Sequence, residues 1–429
     1  MSDQTRSWES LRYRDFRLLW GAEVVSMAGT QLLRIALAWQ IFELTHDPLQ
    51  LGLLGLSRFI PLLLFGLWGG VIADRGDRRQ TLIRSQAVLM VLSLSLAALT
   101  FSGAITPLLI YGITMLSAAV GAIGGPTRLA LIPSLVPREK LAGAMTMNSL
   151  AYQVGAVTGP ALGGLLLARV GTAPLYLFDA VTFLFVIAAA IAMHARPSIP
   201  ANPQRGLEAV REGLRFLWVT PILLGVMGLD FLATFFGGAN VLMPIFAENV
   251  LGGGPQTLGL LLSAPAVGAI VGSLIMATAR IPHRPGLGVL LAVAGYGICV
   301  LGFGLSSNLA LSLGLLAGSG ATDAVSMAMR HTVRNLVTPD ALRGRIAAAH
   351  STFARGGPQL GEFEAGLVAS AFGAPISVAV GGIGVILSTV LVAWKAPAIA
   401  AFDTRHSLPS TPYNDVELAP AIQPVKPTA

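Results

Sequence analysis

The sequence predicts an all-α membrane protein whose twelve transmembrane helices form two pseudo-symmetric six-helix bundles. Three observations carry that expectation. Of 429 residues, 54% are hydrophobic and only 11% charged, with a mean hydropathy of +0.72, a balance unlike that of a soluble domain of this length. Apolar stretches of about 20 residues, the length of helix that crosses a bilayer, recur along the chain. Lysines and arginines gather in alternate connections between them, as insertion with the positive side inward requires.

The elements follow in order. Residues 1–16 are polar and read as a cytoplasmic tail without a cleavable signal. Spans at 17–44, 50–73, 80–102, 105–127, 144–168 and 172–194 make a first bundle, 17–194. A proline-bearing, basic stretch at 195–218 reads as a cytoplasmic linker. The second bundle, 219–395, takes spans at 219–249, 256–279, 286–306, 308–329, 346–371 and 375–395. The seventh is long for one crossing, and Gly237, Gly238 and Pro244 mark where it is expected to break. Residues 396–429 are polar and proline-rich and read as a disordered cytoplasmic tail.

With both termini inside, 24 of the 28 lysines and arginines fall on the cytoplasmic side, Arg169 falls outside, and Arg34, Arg58 and Arg355 fall within spans. The pI of about 10.1 is therefore a topology signal rather than a sign of nucleic-acid binding. The expected partners are the lipid bilayer and a small molecule. The single Cys299 excludes an intrachain disulfide framework, and the six histidines show no metal-ligand spacing. No nucleotide-binding loop or nucleophile motif is present, so neither an enzyme nor a bound cofactor is expected.

The halves repeat one another weakly. Arg128 stands nine residues before Pro137, and Arg330 nine before Pro339; Gly159-Pro160-Ala-Leu-Gly163 is echoed by Gly357-Pro358-Gln-Leu-Gly361. Such duplication suits two bundles facing each other across a central cavity.

Between the second and third spans, Gly70-Val-Ile-Ala-Asp74-Arg75-Gly76-Asp77-Arg78-Arg79 packs five charges into six positions. In the fifth span, Gly155, Gly159 and Gly163 recur every fourth residue, forming a smooth stripe for close packing beside Pro160 and Gly164. The first run resembles the loop signature of the major facilitator superfamily, and the second resembles the glycine-proline pattern of its antiporters. Arg14-Asp-Phe-Arg-Leu-Leu-Trp20, Ala36-Leu-Ala-Trp-Gln40, Ala277–Gly286 and Leu360-Gly-Glu-Phe-Glu-Ala-Gly366 extend the similarity to the bacterial exporter group that includes the enterobactin exporter. Two features depart from proton-coupled drug exporters of the superfamily: Ser117 stands four residues before Gly121 where they carry an arginine, and no aspartate precedes Arg280, His283 and Arg284.

The resemblance implies a monomeric secondary transporter of the bacterial inner membrane that exports a siderophore or drug-like amphipathic molecule by proton antiport. A facilitated-diffusion or uptake permease of the same fold is the alternative, and a non-transporting receptor the reading from another class. Asp74 would fasten the inner gate against Arg128 or a positive helix end, supported by Arg75, Arg78 and Arg79.

Charges inside spans are expensive and point to function. Glu23 and Arg34 share one face of the first span with Gln31 beside them, and Asp230 occupies the corresponding level of the seventh. Arg355 and Glu362 lie two turns apart in the eleventh. Glu23, Gln31, Arg34, Arg58, Asp230, Asp323, Arg355 and Glu362 are the candidates for substrate recognition or coupling. Asp179 and Asp323 are candidate partners for Arg34, Arg58 or Arg355.

Overall fold

A computed structural model describes residues 7–75, 77–194, 215–278, 283–339 and 342–402. For 66–75, 343–345, 347–349, 351–353 and 355 it describes the backbone alone. The first bundle comprises α1 (Arg14–Thr45), α2 (Pro48–Arg75), α3 (Arg78–Phe101), α4 (Pro107–Leu135), α5 (Leu141–Val170) and α6 (Thr172–Ala192). The second comprises α7 (Pro221–Phe236, continued by short helical turns to Val250), α8 (Pro255–Thr278), α9 (Pro285–Gly304), α10 (Leu309–Val337), α11 (Arg343–Phe372) and α12 (Ala374–Lys395).

Eleven of these are apolar and long enough to cross a bilayer, counting the described residues. The remaining one, α11, has 30 residues, enough for about 45 Å of helix. Its lower hydropathy comes from Arg343, Arg345, His350, Arg355, Glu362 and Glu364.

Local chemistry sets the helix boundaries. Asp77 caps α3, its carboxylate accepting from the Arg79 and Gln80 backbone N–H groups at 2.9 and 3.3 Å. Thr106 and Asn308 cap α4 and α10 in the same way. The expected break in the seventh segment falls at Gly237: α7 stops at Phe236, and a 3-10 turn, Ala239–Leu242, carries the chain onward. Irregular backbone at this depth survives only with internal partners, and the Tyr296 hydroxyl supplies one, donating to the Gly237 carbonyl at 3.2 Å.

Structure extends past the expected ends of the bundles. Ser7–Arg12 is a 3-10 turn lying against α5, tied there by Lys140 and Glu9. The turn Pro397–Ala401 buries Ile399 against α7 and α9. Most of the linker, 195–214, and of the tail, 403–429, lies outside the described residues.

Because the helix number is even, both chain ends reach one face, here called the terminal face; the other is the distal face. Packing differs sharply between them. On the distal side one apolar core draws on both bundles, including Leu37, Ile41 and Phe42 from α1 and Phe246, Leu258 and Leu261 from the second half. On the terminal side each bundle keeps its own core, one around Phe16, Leu82 and Leu131, the other around Leu229, Val289 and Val333. Among the described residues the molecule is therefore closed at the distal face and parted at the terminal face.

Two pairs of glycines make the distal closure possible. A Cβ on Gly164 of α5 would stand 2.5 Å from the Gly259 Cα of α8, and one on Gly52 of α2 would stand 3.0 Å from the Gly366 Cα of α11. Backbones that close touch without side chains between them.

Candidate functional site

Three ion-pair clusters lie where the bundles meet or face the parting. In the first bundle, α1 carries Glu23 and α4 carries Arg128, whose Nη1 donates to the Glu23 Oε2. The other Glu23 oxygen is buried with no hydrogen-bond partner.

In the second bundle, the equivalent helices α7 and α10 carry Asp230 and Arg330. The Arg330 Nη1 reaches the Asp230 Oδ1 at 2.5 Å, and its Nη2 donates to the Asp323 Oδ1 at 3.1 Å. His350 from α11 places its Nε2 3.1 Å from the other Asp230 oxygen. His331 approaches His350 edge-on at 6.3 Å between centroids, and the Arg334 Nη2 lies 2.8 Å from the His331 Nδ1. These side chains, with Met227, Thr234 and Met327, line a cavity of about 330 Å³ whose wall also takes Tyr152 from α5 of the opposite bundle. Charged groups of both signs beside methionine and tyrosine suit a molecule with polar and apolar parts.

The third cluster bridges the bundles. Arg58 of α2 reaches Glu362 of α11 at 3.4 Å, with the two side chains 18% and 15% exposed. Arg34, exposed on α1, is close enough to act electrostatically on both. Gly55 lets the helices approach here, since a Cβ on it would lie 2.6 Å from the Glu362 Cβ. Both charges sit ten residues inside the distal ends of their helices, Pro48 and Phe372, or about 15 Å deep, at the inner edge of the distal closure.

The pairings differ from those expected. Among the described side chains Asp179 meets neither Arg34 nor Arg58: it accepts from the Ser93 hydroxyl inside the first bundle at 2.6 Å. Asp323 takes Arg330, and Arg58 takes Glu362. Arg128, one of the two partners expected for Asp74, is engaged by Glu23. Gly70, Asp74 and Arg75 occupy the last turns of α2, their side chains and Gly76 being outside what is described, as is the Arg355 side chain.

Arg78 and Arg79 do more than orient the chain. The Arg78 Nη1 donates to the Ala130 carbonyl of α4 at 3.0 Å. Arg79 donates from Nε and Nη2 to the Ala190 and Ile191 carbonyls in the last turn of α6, both at 2.6 Å. Carbonyls at a helix C-terminus lack intrahelical partners and carry the negative end of the dipole, so cations there stabilise it.

Gly155, Gly159 and Gly163 turn toward α1, while the Pro160 carbonyl lies on the side facing Gly259 of α8. Cβ atoms on the three glycines would lie 3.1 Å from the Met27 Cβ, 2.5 Å from the Gln31 Cβ and 2.7 Å from the Ile35 Cδ1. Gln31 is thus held against α5. Gly164 faces the other way, toward α8 and the distal closure.

Arg330, His331 and His350 were not among the candidates. The repeat of Arg128 at Arg330 was the available signal for the first. For the histidines there was none, because their convergence depends on how α10 meets α11.

A second pocket, about 560 Å³, opens at the distal face beside Trp39, Glu43 and Glu248. It is larger, but it lies outside the distal closure and away from the three clusters.

Comparison with known proteins agrees with the architecture. A family model described as transmembrane secretion effector matches residues 5–426. The enterobactin exporter EntS of Escherichia coli O1:K1 is 32% identical over 337 residues, covering 77% of this chain and 79% of the exporter. The same exporter from strain E24377A gives the same identity and coverage. Two solved structures share the fold. A bacterial homologue of the iron transporter ferroportin, inward-facing, superposes with a TM-score of 0.69 at 16% identity over 89% of this chain and 99% of that one. A bacterial homologue of the human lysosomal transporter Spinster, inward-facing and unoccupied, gives 0.68 at 17% identity over 91% and 96%. Twelve membrane helices in two repeated bundles and a match spanning nearly the whole chain lead to one conclusion: the chain belongs to the transmembrane secretion effector family of major facilitator transporters, and is a multi-pass bacterial inner-membrane protein and not an enzyme.

Proposed function

We propose that the protein exports a small amphipathic molecule, siderophore or drug-like, by proton antiport with alternating access, its terminal face in the cytoplasm. The observation that carries this reading is the Arg58–Glu362 pair, the ion pair that joins α2 to α11 across the bundles. Rocking to an outward-open state pulls the distal helix ends apart, so this pair must break once per cycle. A proton arriving from outside and neutralising Glu362 removes the attraction at that moment. Removing one member of a pair taken out of water is costly when its mate stays behind, but here Arg58 has the cavity to turn into. Substrate class is supported by the mixed polar and apolar cavity and by the exporter relatives, whose name gives enterobactin as their cargo.

The orientation rests on the 24 basic residues assigned inside. With Cys299 replaced, cysteine probes at Ser307 and Gly253 should label from outside and a probe at Asp77 only from inside; the opposite pattern would reverse it.

Transport itself is tested in proteoliposomes with iron-free enterobactin as probe. A pH jump at fixed membrane potential should drive uphill movement, and Glu362→Gln should lose that drive about tenfold or more while keeping substrate exchange. A wild type indifferent to the proton gradient that still carries the probe downhill is a facilitated-diffusion permease. Normal pH-driven flux in Glu362→Gln would remove this residue from coupling.

A further inference from the structure

Inside the first bundle, where α1, α3 and α6 meet, a carboxyl group lies apart from every cluster described so far. Asp179 of α6 is fully buried, at 0% exposure. Its Oδ2 accepts from the Ser93 hydroxyl of α3 at 2.6 Å, and its Oδ1 has no hydrogen-bond partner. The Thr182 hydroxyl on the next turn is already used, donating to the Asp179 backbone carbonyl at 2.7 Å. α1 presents Gly29 at this level, where a Cβ would stand 3.1 Å from Oδ1. Among the described residues no cation pairs with Asp179.

The charged and titratable groups on the packed elements lie elsewhere along them. On α1, Glu23 is six residues toward the terminal face and Arg34 five toward the distal face; on α3, Arg84 is nine residues away. On α6 itself Tyr176 stands three residues distal, its hydroxyl donating to the Gln40 Oε1 at 2.7 Å, and the Gln40 Nε2 donates onward to the Thr100 hydroxyl at 3.0 Å. Polar side chains therefore run along this seam from near the distal end to Asp179. In the terminal direction the next carboxylate is Glu23, about 9 Å along α1 from Gly29, and it too has a buried oxygen without a partner.

An isolated ion in such a place would be expensive, whereas a neutral acid with one hydroxyl donor is not. We propose that Asp179 is a proton-binding site of the transport cycle, taking a proton from the distal side and passing it toward Glu23 within the first bundle, away from the substrate cavity. Only O–H bonds form and break, and each proton taken up on one side is released on the other. The proposal rests on the proton-coupled reading above and adds a site on a route separate from Arg58 and Glu362.

The test uses the full-length protein in lipid. Infrared difference spectra without substrate should show a carboxylic-acid carbonyl band that fades as pH rises and is missing in Asp179→Asn; a wild type without such a band, or a band that the substitution leaves in place, overturns the assignment. In proteoliposomes with iron-free enterobactin, Asp179→Asn should lose pH-driven flux about tenfold or more while exchange stays within about twofold. Asparagine imitates the neutral acid, so a purely packing role predicts unchanged flux, and that result also overturns the proposal. If Asp179→Asn does not fold, Ser93→Ala should shift the pH at which the band fades; an unmoved band counts against the site. A wild type with a titrating band but no pH-driven flux defeats the proton-coupled reading of transport, not the proton site itself.

Discussion

The two bundles carry the same ion pair at the same place, Glu23–Arg128 between α1 and α4 and Asp230–Arg330 between α7 and α10, yet surround it differently. In the first, among the described residues, one arginine serves one carboxylate. In the second, Arg330 serves Asp230 and Asp323 together, and His350 approaches Asp230 from α11. The duplicated pair ties the first helix of each half to the fourth. What the second half adds is a histidine contact to the shared carboxylate and, through it, a link to the helix that also bears Glu362.

That asymmetry predicts unequal damage from equal substitutions. Arg330→Met strands the buried Asp230 and also unpairs the more exposed Asp323, and breaking a buried pair typically costs about 3–5 kcal/mol. Arg128→Met strands one. Thermal unfolding in detergent should therefore fall further for Arg330→Met, and transport should be abolished at matched abundance. Equal losses would mean that Asp323 and His350 add nothing to the second pair.

His350→Gln sharpens the same comparison with a smaller effect. Glutamine keeps a hydrogen-bond donor for Asp230. Leucine in its place removes that contact and leaves the second Asp230 oxygen without it, a loss that typically costs about 1–3 kcal/mol. Melting temperature should therefore fall more for His350→Leu than for His350→Gln. Equal melting temperatures in the two variants would assign His350 to packing.

How much of this was legible in the sequence follows from the range of the interactions. Helix number, the two-bundle plan and the break at Gly237 depend on apolar length and on backbone chemistry, both local. The stripe Gly155, Gly159, Gly163 declared a close contact, though not that its partner was α1 or that Gly164 would face Gly259 instead. Glu23, Asp230, Arg58 and Glu362 stood out because charge in an apolar span is costly. Their mates did not, because pairing depends on how distant helices cross. Arg330 was visible only as an echo of Arg128, and Ser93 as the partner of Asp179 was beyond any wheel drawn on one helix.

The halves differ once more in the loops after their second helices, and this carries the smallest effect. The first half has Asp74 and Asp77, whereas in the second no aspartate precedes Arg280. Asp77 accepts two backbone N–H groups at the start of α3, a task asparagine performs about as well. Asp77→Asn should therefore change stability by only a few tenths of a kcal/mol, about the difference between good caps, and leave flux near wild type. Asp74 sits on the last turn of α2, where the family resemblance places the fastening of the inner gate. Arg128 is engaged by Glu23 in the structure, and Asp74→Asn should reduce transport several-fold if Asp74 fastens the gate as the resemblance implies. Equal flux in the two variants, corrected for abundance, would leave the gate to the glycine and arginine positions and make this difference between the halves silent.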